Sequence, residues 1–162
     1  MIAKVYWVIR GRFLAGVYPG ALQEAQARSQ INWLMQQGAD YFIDLTEAGE
    51  ANLLPYEKIL YQQAASQGVA VSYQRMPIQD FSTPTEATLR GILDNVDRAL
   101  ITGRCIYLHC LGGVGRTGTV VGCYLVHHGM SGEDALRQVS AWRGVNSPET
   151  FLQQQMVLNW KD

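Results

Sequence analysis

Short apolar runs of strand length and longer stretches with helical spacing take turns along this chain. Val5 to Ile9 is an apolar run, and Arg10-Gly11-Arg12 turns it into Phe13 to Tyr18, which predicts a hairpin leading to Pro19-Gly20. Residues 21–37 carry Ile31, Leu34 and Met35 at helical spacing, with a break expected near Ser29 and Gly38 as the stop. Tyr41 to Leu45 predicts a buried strand, residues 46–54 a loop, and residues 55–67 a second helix stopped by Gly68. Val69 to Met76 predicts a strand, after which Pro77 to Pro84 breaks the pattern.

Thr83 as N-cap, Pro84 at the first helical position and Glu86 closing a capping box predict the next helix start. Leu89, Ile92, Leu93, Val96 and Leu100 then stripe one face until Gly103. Cys105 to His109 predicts a buried strand, residues 110–118 a glycine-rich loop, and Thr119 to His128 a helix ended by Gly129. Ser131-x-x-Asp134 opens another helix with Leu136, Val139 and Trp142 on its apolar face. Ser147-Pro148-Glu149-Thr150 caps a last one carrying Phe151, Leu152, Met156, Leu158 and Trp160. Alternating strands and helices predict an α/β fold, one domain over residues 1–162 with a central twisted parallel or mixed sheet flanked by helices. The ligand site of such a sheet lies at the carboxyl ends of its strands, where residues 110–116 fall.

Composition changes this picture little. The 162 residues are 48% hydrophobic and 17% charged, with a net charge of −1, which describes an ordinary globule with no general affinity for nucleic acid or anionic membrane. No apolar run reaches the roughly 18 residues of a membrane span, and MIAKVYWVIRGR lacks the features of a secretory signal. The three cysteines have no metal-ligand spacing, no cofactor is implied, and a reducing cytoplasm suits a chain that must keep one thiolate free.

The chemistry concentrates in Cys110-Leu111-Gly112-Gly113-Val114-Gly115-Arg116, followed by Thr117-Gly118. Glycines in a loop that feeds a helix let backbone N–H groups turn inward, and the helix N-terminus adds partial positive charge, so the loop is a nest for a tetrahedral oxyanion. No Gly-Lys-Ser/Thr follows, which excludes the nucleotide-binding P-loop. Donors that hold phosphate also favour a thiolate at Cys110, and Arg116 can fork onto two phosphate oxygens.

His109-Cys110-x-x-Gly113-x-x-Arg116-Thr117-Gly118 resembles the signature of the cysteine-based protein tyrosine phosphatase superfamily, and Cys-x-Gly-Gly-x-Gly-Arg resembles its compact dual-specificity group. The resemblance implies thiolate attack by Cys110 and a cysteinyl-phosphate intermediate, with phosphate held by Leu111 to Arg116. It also implies that Asp80, in a loop thirty residues before Cys110 and shortly before Pro84, protonates the leaving group. Asp44, in an apolar strand, and Asp94, within a helix, suit that role less. In the resembling family the histidine at 109 supports the thiolate; as a strand-end residue it could equally satisfy a buried hydrogen bond. Thr117 would stabilise the departing thiolate or bond its own helical turn. Gln153 matches best the glutamine that positions the hydrolytic water, although Gln154 and Gln155 follow it and all three fit a solvated helix face as well. Arg75 and Arg143 are candidates for a phosphate-binding rim.

The expected function is a metal-independent phosphomonoesterase acting on phosphotyrosine, with phosphoserine and phosphothreonine as further substrates. The alternatives are a phosphatase of a sugar, an inositol phosphate or an RNA 5′ end, and a phospho-binding module that has lost catalysis. The absence of Lys between Leu111 and Gly115 argues against phosphoinositides. A thiol redox enzyme would need a resolving cysteine, and neither Cys105 nor Cys123 is well placed.

Overall fold

The computed structural model describes residues 4–161. Among them β1 (Tyr6–Ile9), β2 (Phe13–Gly16), β3 (Tyr41–Asp44), β4 (Ser72–Arg75) and β5 (Ile106–His109) form one sheet in the order β1-β2-β5-β3-β4. β1 and β2 are the antiparallel hairpin, and the remaining neighbours are parallel, so the sheet is mixed. Register aligns the strand ends: Gly16 pairs His109, His109 pairs Asp44, and Asp44 pairs Arg75. One row of carboxyl ends therefore faces a single edge, and the chain leaves β5 there into residues 110–116.

The two-residue period of the strands sorts their side chains onto two cores. Phe13, Ala15, Ile43, Ile106 and Leu108 pack under α3 (Glu86–Ile101), α4 (Gly115–His127), α5 (Gly132–Arg143) and α6 (Phe151–Asn159). Leu14, Phe42 and Tyr107 face α1 (Glu24–Gln36) and α2 (Glu57–Gln67) through Ile31, Leu34, Tyr56 and Leu60. Leu108 and Ile43 are fully buried, and truncating either to Ala should cost about 2–5 kcal/mol.

Several boundaries differ from the pattern reading. α1 begins at Glu24 and is continuous through Ser29, because Ala27, Ile31 and Leu34 give it one unbroken buried face. β4 is shorter than Val69 to Met76, ending where Met76 N–H bonds Asp44 at the sheet edge. The α3 cap is Thr85, not Thr83: its hydroxyl accepts from Thr88 N at 3.1 Å, while Pro84 lies before the helix. α4 starts at Gly115 rather than Thr119, because Gly118 N–H already reaches Val114 O at 3.1 Å.

α6 buries Trp160 and partly buries Met156 as expected but departs from the pattern in its first turn. Phe151 and Leu152 are exposed, whereas Gln153 and Val157 are buried, one turn apart on the face toward α4. α4 offers them glycines: a Cβ on Gly115 would stand 3.0 Å from Gln153 Nε2, and one on Gly122 would stand 2.7 Å from Val157 Cγ2. The bare stripe admits α6 so closely that shape decides the buried positions there, against hydropathy.

Candidate active site

The loop after β5 is held open by bonds to its carbonyl groups. Leu111 O accepts from Tyr18 N at 3.0 Å, Gly112 O and Gly113 O from Arg143 Nη2 and Nε at 3.0 Å each, and Val114 O from Ser147 Oγ at 2.7 Å. Four successive carbonyls are thus tied to groups outside the loop, which frees its N–H groups to serve an anion. Gly113 is required here. Its φ is +66°, and a Cβ would lie 2.5 Å from the backbone carbon of Gly16.

Arg116 is nearly fully buried beneath this loop. Glu50 takes one edge of its guanidinium in a fork, with Nη1–Oε2 at 2.7 Å and Nη2–Oε1 at 2.6 Å. Ile78 O accepts from Nη1 at 2.9 Å, and Asp80 Oδ1 lies 3.1 Å from Nη2. Arg116 Nε and Thr117 Oγ1 are buried without a hydrogen-bond partner. Orphaned donors of this kind cost about 1–3 kcal/mol each unless something arrives to accept from them. A tetrahedral anion held in the loop that Cys110 opens would meet that need.

Strained backbone lies just after Glu50 and Asp80. Ala51, Asn52 and Phe81, which follow them directly, all have positive φ, at 49°, 54° and 58°. Left-handed geometry costs a non-glycine residue roughly 1–2 kcal/mol, and such strain gathers at functional sites.

Residues 18–130 match a family described as "Polymorphic toxin system, DSP-PTPase phosphatase". The chain belongs to this family. DSP-PTPase relatives in the wider superfamily include the dual specificity protein phosphatases CDC14B of Mus musculus and CDC14C of Symphalangus syndactylus. The first is 26% identical over 155 residues and the second 26% over 122, covering 94% and 75% of this chain. The chain spans only 30% and 24% of their lengths. Among solved structures, Tk-PTP in the active form is 26% identical, with a TM-score of 0.73 and coverage of 97% of this chain and 95% of that one. PTPMT1 in complex with PI(5)P shares the fold, with a TM-score of 0.74 at 19% identity and coverage of 97% of this chain and 94% of that one.

The residues that surround the DSP-PTPase loop divide into orienting and supporting groups. His109 is fully buried: Nδ1 meets Cys110 O at 3.1 Å and Nε2 meets Tyr56 Oη at 2.7 Å. A carbonyl can only accept, so Nδ1 carries the proton and Nε2 accepts from the Tyr56 hydroxyl. Burial pushes the imidazole below its ordinary value, against the pull of nearby Asp44. Burial alone would raise Asp44; His109 and hydrogen bonds from Thr46 and Tyr73 outweigh it and hold the carboxyl below its usual value. Asp44 is thus a fixed anion under the site with no proton to lend, and Asp94 lies exposed on α3.

Gln153 is the glutamine turned toward the loop, against Gly115. Its Oε1 accepts from Thr150 N at 3.1 Å in a capping box, and its Nε2 donates to Ser82 O at 3.2 Å, two residues past Asp80. Gln154 bonds Pro148 O and Gln155 pairs with Asn159. Of the rim arginines, Arg143 holds the loop carbonyls, whereas Arg75 reaches Asp44 through Nη2 at 3.5 Å and keeps a buried Nε without a hydrogen-bond partner. Burial pushes the Cys105 thiol up to about 11 and Cys123 up to about 12, so both are poor thiolates. Pattern reading missed Glu50, Tyr56 and Ser147. Glu50 stands in a segment without periodicity, and its partner is 66 residues away.

Proposed function

We propose that the chain is a metal-independent protein phosphatase that hydrolyses phosphotyrosine, and phosphoserine or phosphothreonine, through a cysteinyl-phosphate intermediate. The observation that carries this reading is the pair of buried donors left without a partner, Arg116 Nε and Thr117 Oγ1, at the end of the loop that Cys110 opens. In the reaction the Cys110 thiolate forms a bond to phosphorus as the bond to the ester oxygen breaks, and Asp80 gives that oxygen a proton. Arg116 and the loop N–H groups meet the charge growing on the equatorial oxygens, work that a metal does in other phosphatases. Water then attacks the thiophosphate, Asp80 takes its proton, and Thr117 donates to the departing sulfur. Gln153 would help place that water after releasing Ser82 O.

A protein ester is favoured over a multiply phosphorylated lipid or inositol by the carboxylates around the loop. Glu50 and Asp80 stand against Arg116, and Glu149 Oε1 would lie 2.5 Å from a Cβ on Gly115. Further phosphates would meet these anions. The reading carries with it a reducing, cytoplasm-like setting, in which a thiolate survives.

The test has two parts. Hydrolysis of para-nitrophenyl phosphate should continue in excess EDTA and vanish in Cys110→Ser. Phosphate release should then favour phosphopeptides over phosphoinositides, inositol phosphates, phosphosugars and 5′-phosphorylated RNA by at least tenfold in kcat/KM. A preference for any of the latter would transfer the site to a non-protein substrate. No turnover on any ester, with phosphopeptide binding intact, would make it a binding module.

A further inference from the structure

Far from the phosphate loop, at the opposite end of α4, three ligand-type side chains converge. His127 closes α4 and His128 is its C-cap, while Asp97 reaches them from α3. His128 Nε2 lies 2.9 Å from Asp97 Oδ1 and His127 Nε2 lies 3.5 Å from Asp97 Oδ2. One donor atom from each residue fits within 4.8 Å of the other two, and it is the one such grouping found among the described residues. We propose that Asp97, His127 and His128 form a site for a borderline divalent transition metal of the zinc class, clipping α3 to the end of α4.

Geometry and ligand chemistry both support the site. Bond lengths of about 2.0–2.2 Å put neighbouring ligand atoms of a tetrahedral zinc about 3.3–3.6 Å apart; the two imidazoles stand 2.9 and 3.5 Å from different oxygens of Asp97, so a small swing of one ring brings both to a shared metal. Two imidazoles and a carboxylate suit zinc, copper, nickel or cobalt and suit magnesium or calcium poorly. The His128 ring packs on Tyr124 with centroids 4.4 Å apart, which limits its rotation before any metal arrives. The last carbonyls of α4 also supply partial negative charge where the cation would sit. Asp97 and His127 are about a quarter exposed and His128 about half, leaving a face for solvent ligands and for exchange.

Thirteen residues of α4 put this site about 18 Å along the helix axis from Gly115. The metal would therefore fix the packing of α4 and take no part in phosphoryl transfer, so the site does not depend on the proposed reaction. The adjacent histidines alone give no signal in the sequence, since their third partner stands thirty residues earlier.

The test is a Zn2+ titration by calorimetry in the Cys110→Ser background, which removes the thiolate most apt to compete. Saturable one-to-one binding is expected, weakened at least about tenfold in His127→Ala/His128→Ala. A separate Asp97→Asn variant should weaken it too. Co2+ should give visible d–d bands without a thiolate charge-transfer band in the full wild-type chain. Added Zn2+ should raise the melting temperature of the Cys110→Ser protein and leave that of the double-histidine variant unchanged. Undiminished binding in the double variant, a cobalt–thiolate band, or no binding at all would overturn the proposal and leave an ion-paired helix end only.

Discussion

Replacing Asp80 with Asn separates the acid from the rest of the site. The substitution is nearly isosteric, and the amide oxygen can still accept from Phe81 N, as Asp80 Oδ1 does at 3.0 Å. Asp80 is 41% exposed, so its ion pair with Arg116 is screened and losing it should cost under about 1 kcal/mol of stability. Arg116 keeps its place through Glu50 and the Ile78 carbonyl. What disappears is a transferable proton about one hydrogen bond from the guanidinium proposed to hold phosphate. General acid catalysis contributes about 10²–10⁴-fold, or about 3–5 kcal/mol of barrier. Asp80→Asn should slow phosphotyrosine and alkyl phosphates by that factor and slow aryl phosphates with acidic leaving groups far less. The assay is kcat/KM for a series of aryl phosphates plotted against leaving-group pKa, for wild type and variant, with vanadate affinity as the control for an intact site. The variant line should be steeper. Parallel lines would show that Asp80 does not protonate the leaving group, and the acid would have to be sought elsewhere.

Three further outcomes follow from the same geometry. Arg116→Lys should lose nearly all turnover in steady-state assays, since an ammonium cannot serve Glu50 and phosphate from two edges of one plane; retention of a large fraction of the rate would take Arg116 off the phosphate. Gly113→Ala should unfold more readily by at least about 1–2 kcal/mol from left-handed strain alone, read as a lower urea midpoint, and should lose vanadate binding as the loop is pushed off Gly16. Asp44 has a folded value below its unfolded one, so its contribution to stability is present above the ordinary carboxylate range and lost as pH falls through the folded value. Asp44→Asn should accordingly be less stable at neutral pH and show a shallower acid limb in urea titrations; an unchanged limb would remove Asp44 from that role.

Legibility in the sequence followed distance along the chain. Cys110 to Gly118 is contiguous, so its strand, nest and helix could all be read from one window. The sheet order was not legible, but strand–helix alternation and glycine stops located the elements. Thr83 and Thr85 flank the same proline with similar capping chemistry, and the choice fell to which hydroxyl reaches Thr88 N–H. Gln153 matches the water-positioning glutamine best by spacing, but a solvated face fits all three glutamines as well; the bare faces of Gly115 and Gly122, which draw α6 in, set it apart. Glu50 could not be seen at all: a carboxylate in an aperiodic loop acquires meaning only when folding brings it to Arg116.

The ties on the loop carbonyls bear on where this unit can be cut. The family match runs from residue 18 to residue 130, yet Arg143, Ser147 and Gln153 lie beyond its end and β2 lies before its start. A fragment trimmed to the matched span would leave the Gly112, Gly113 and Val114 carbonyls without their side-chain anchors. It would also strip β5 of its β2 partner and turn an inner strand into an open edge. Grafting Cys110 to Gly118 onto another strand–helix junction would meet the same difficulty. The nine residues spell the motif, but their shape is borrowed from segments at both ends of the chain.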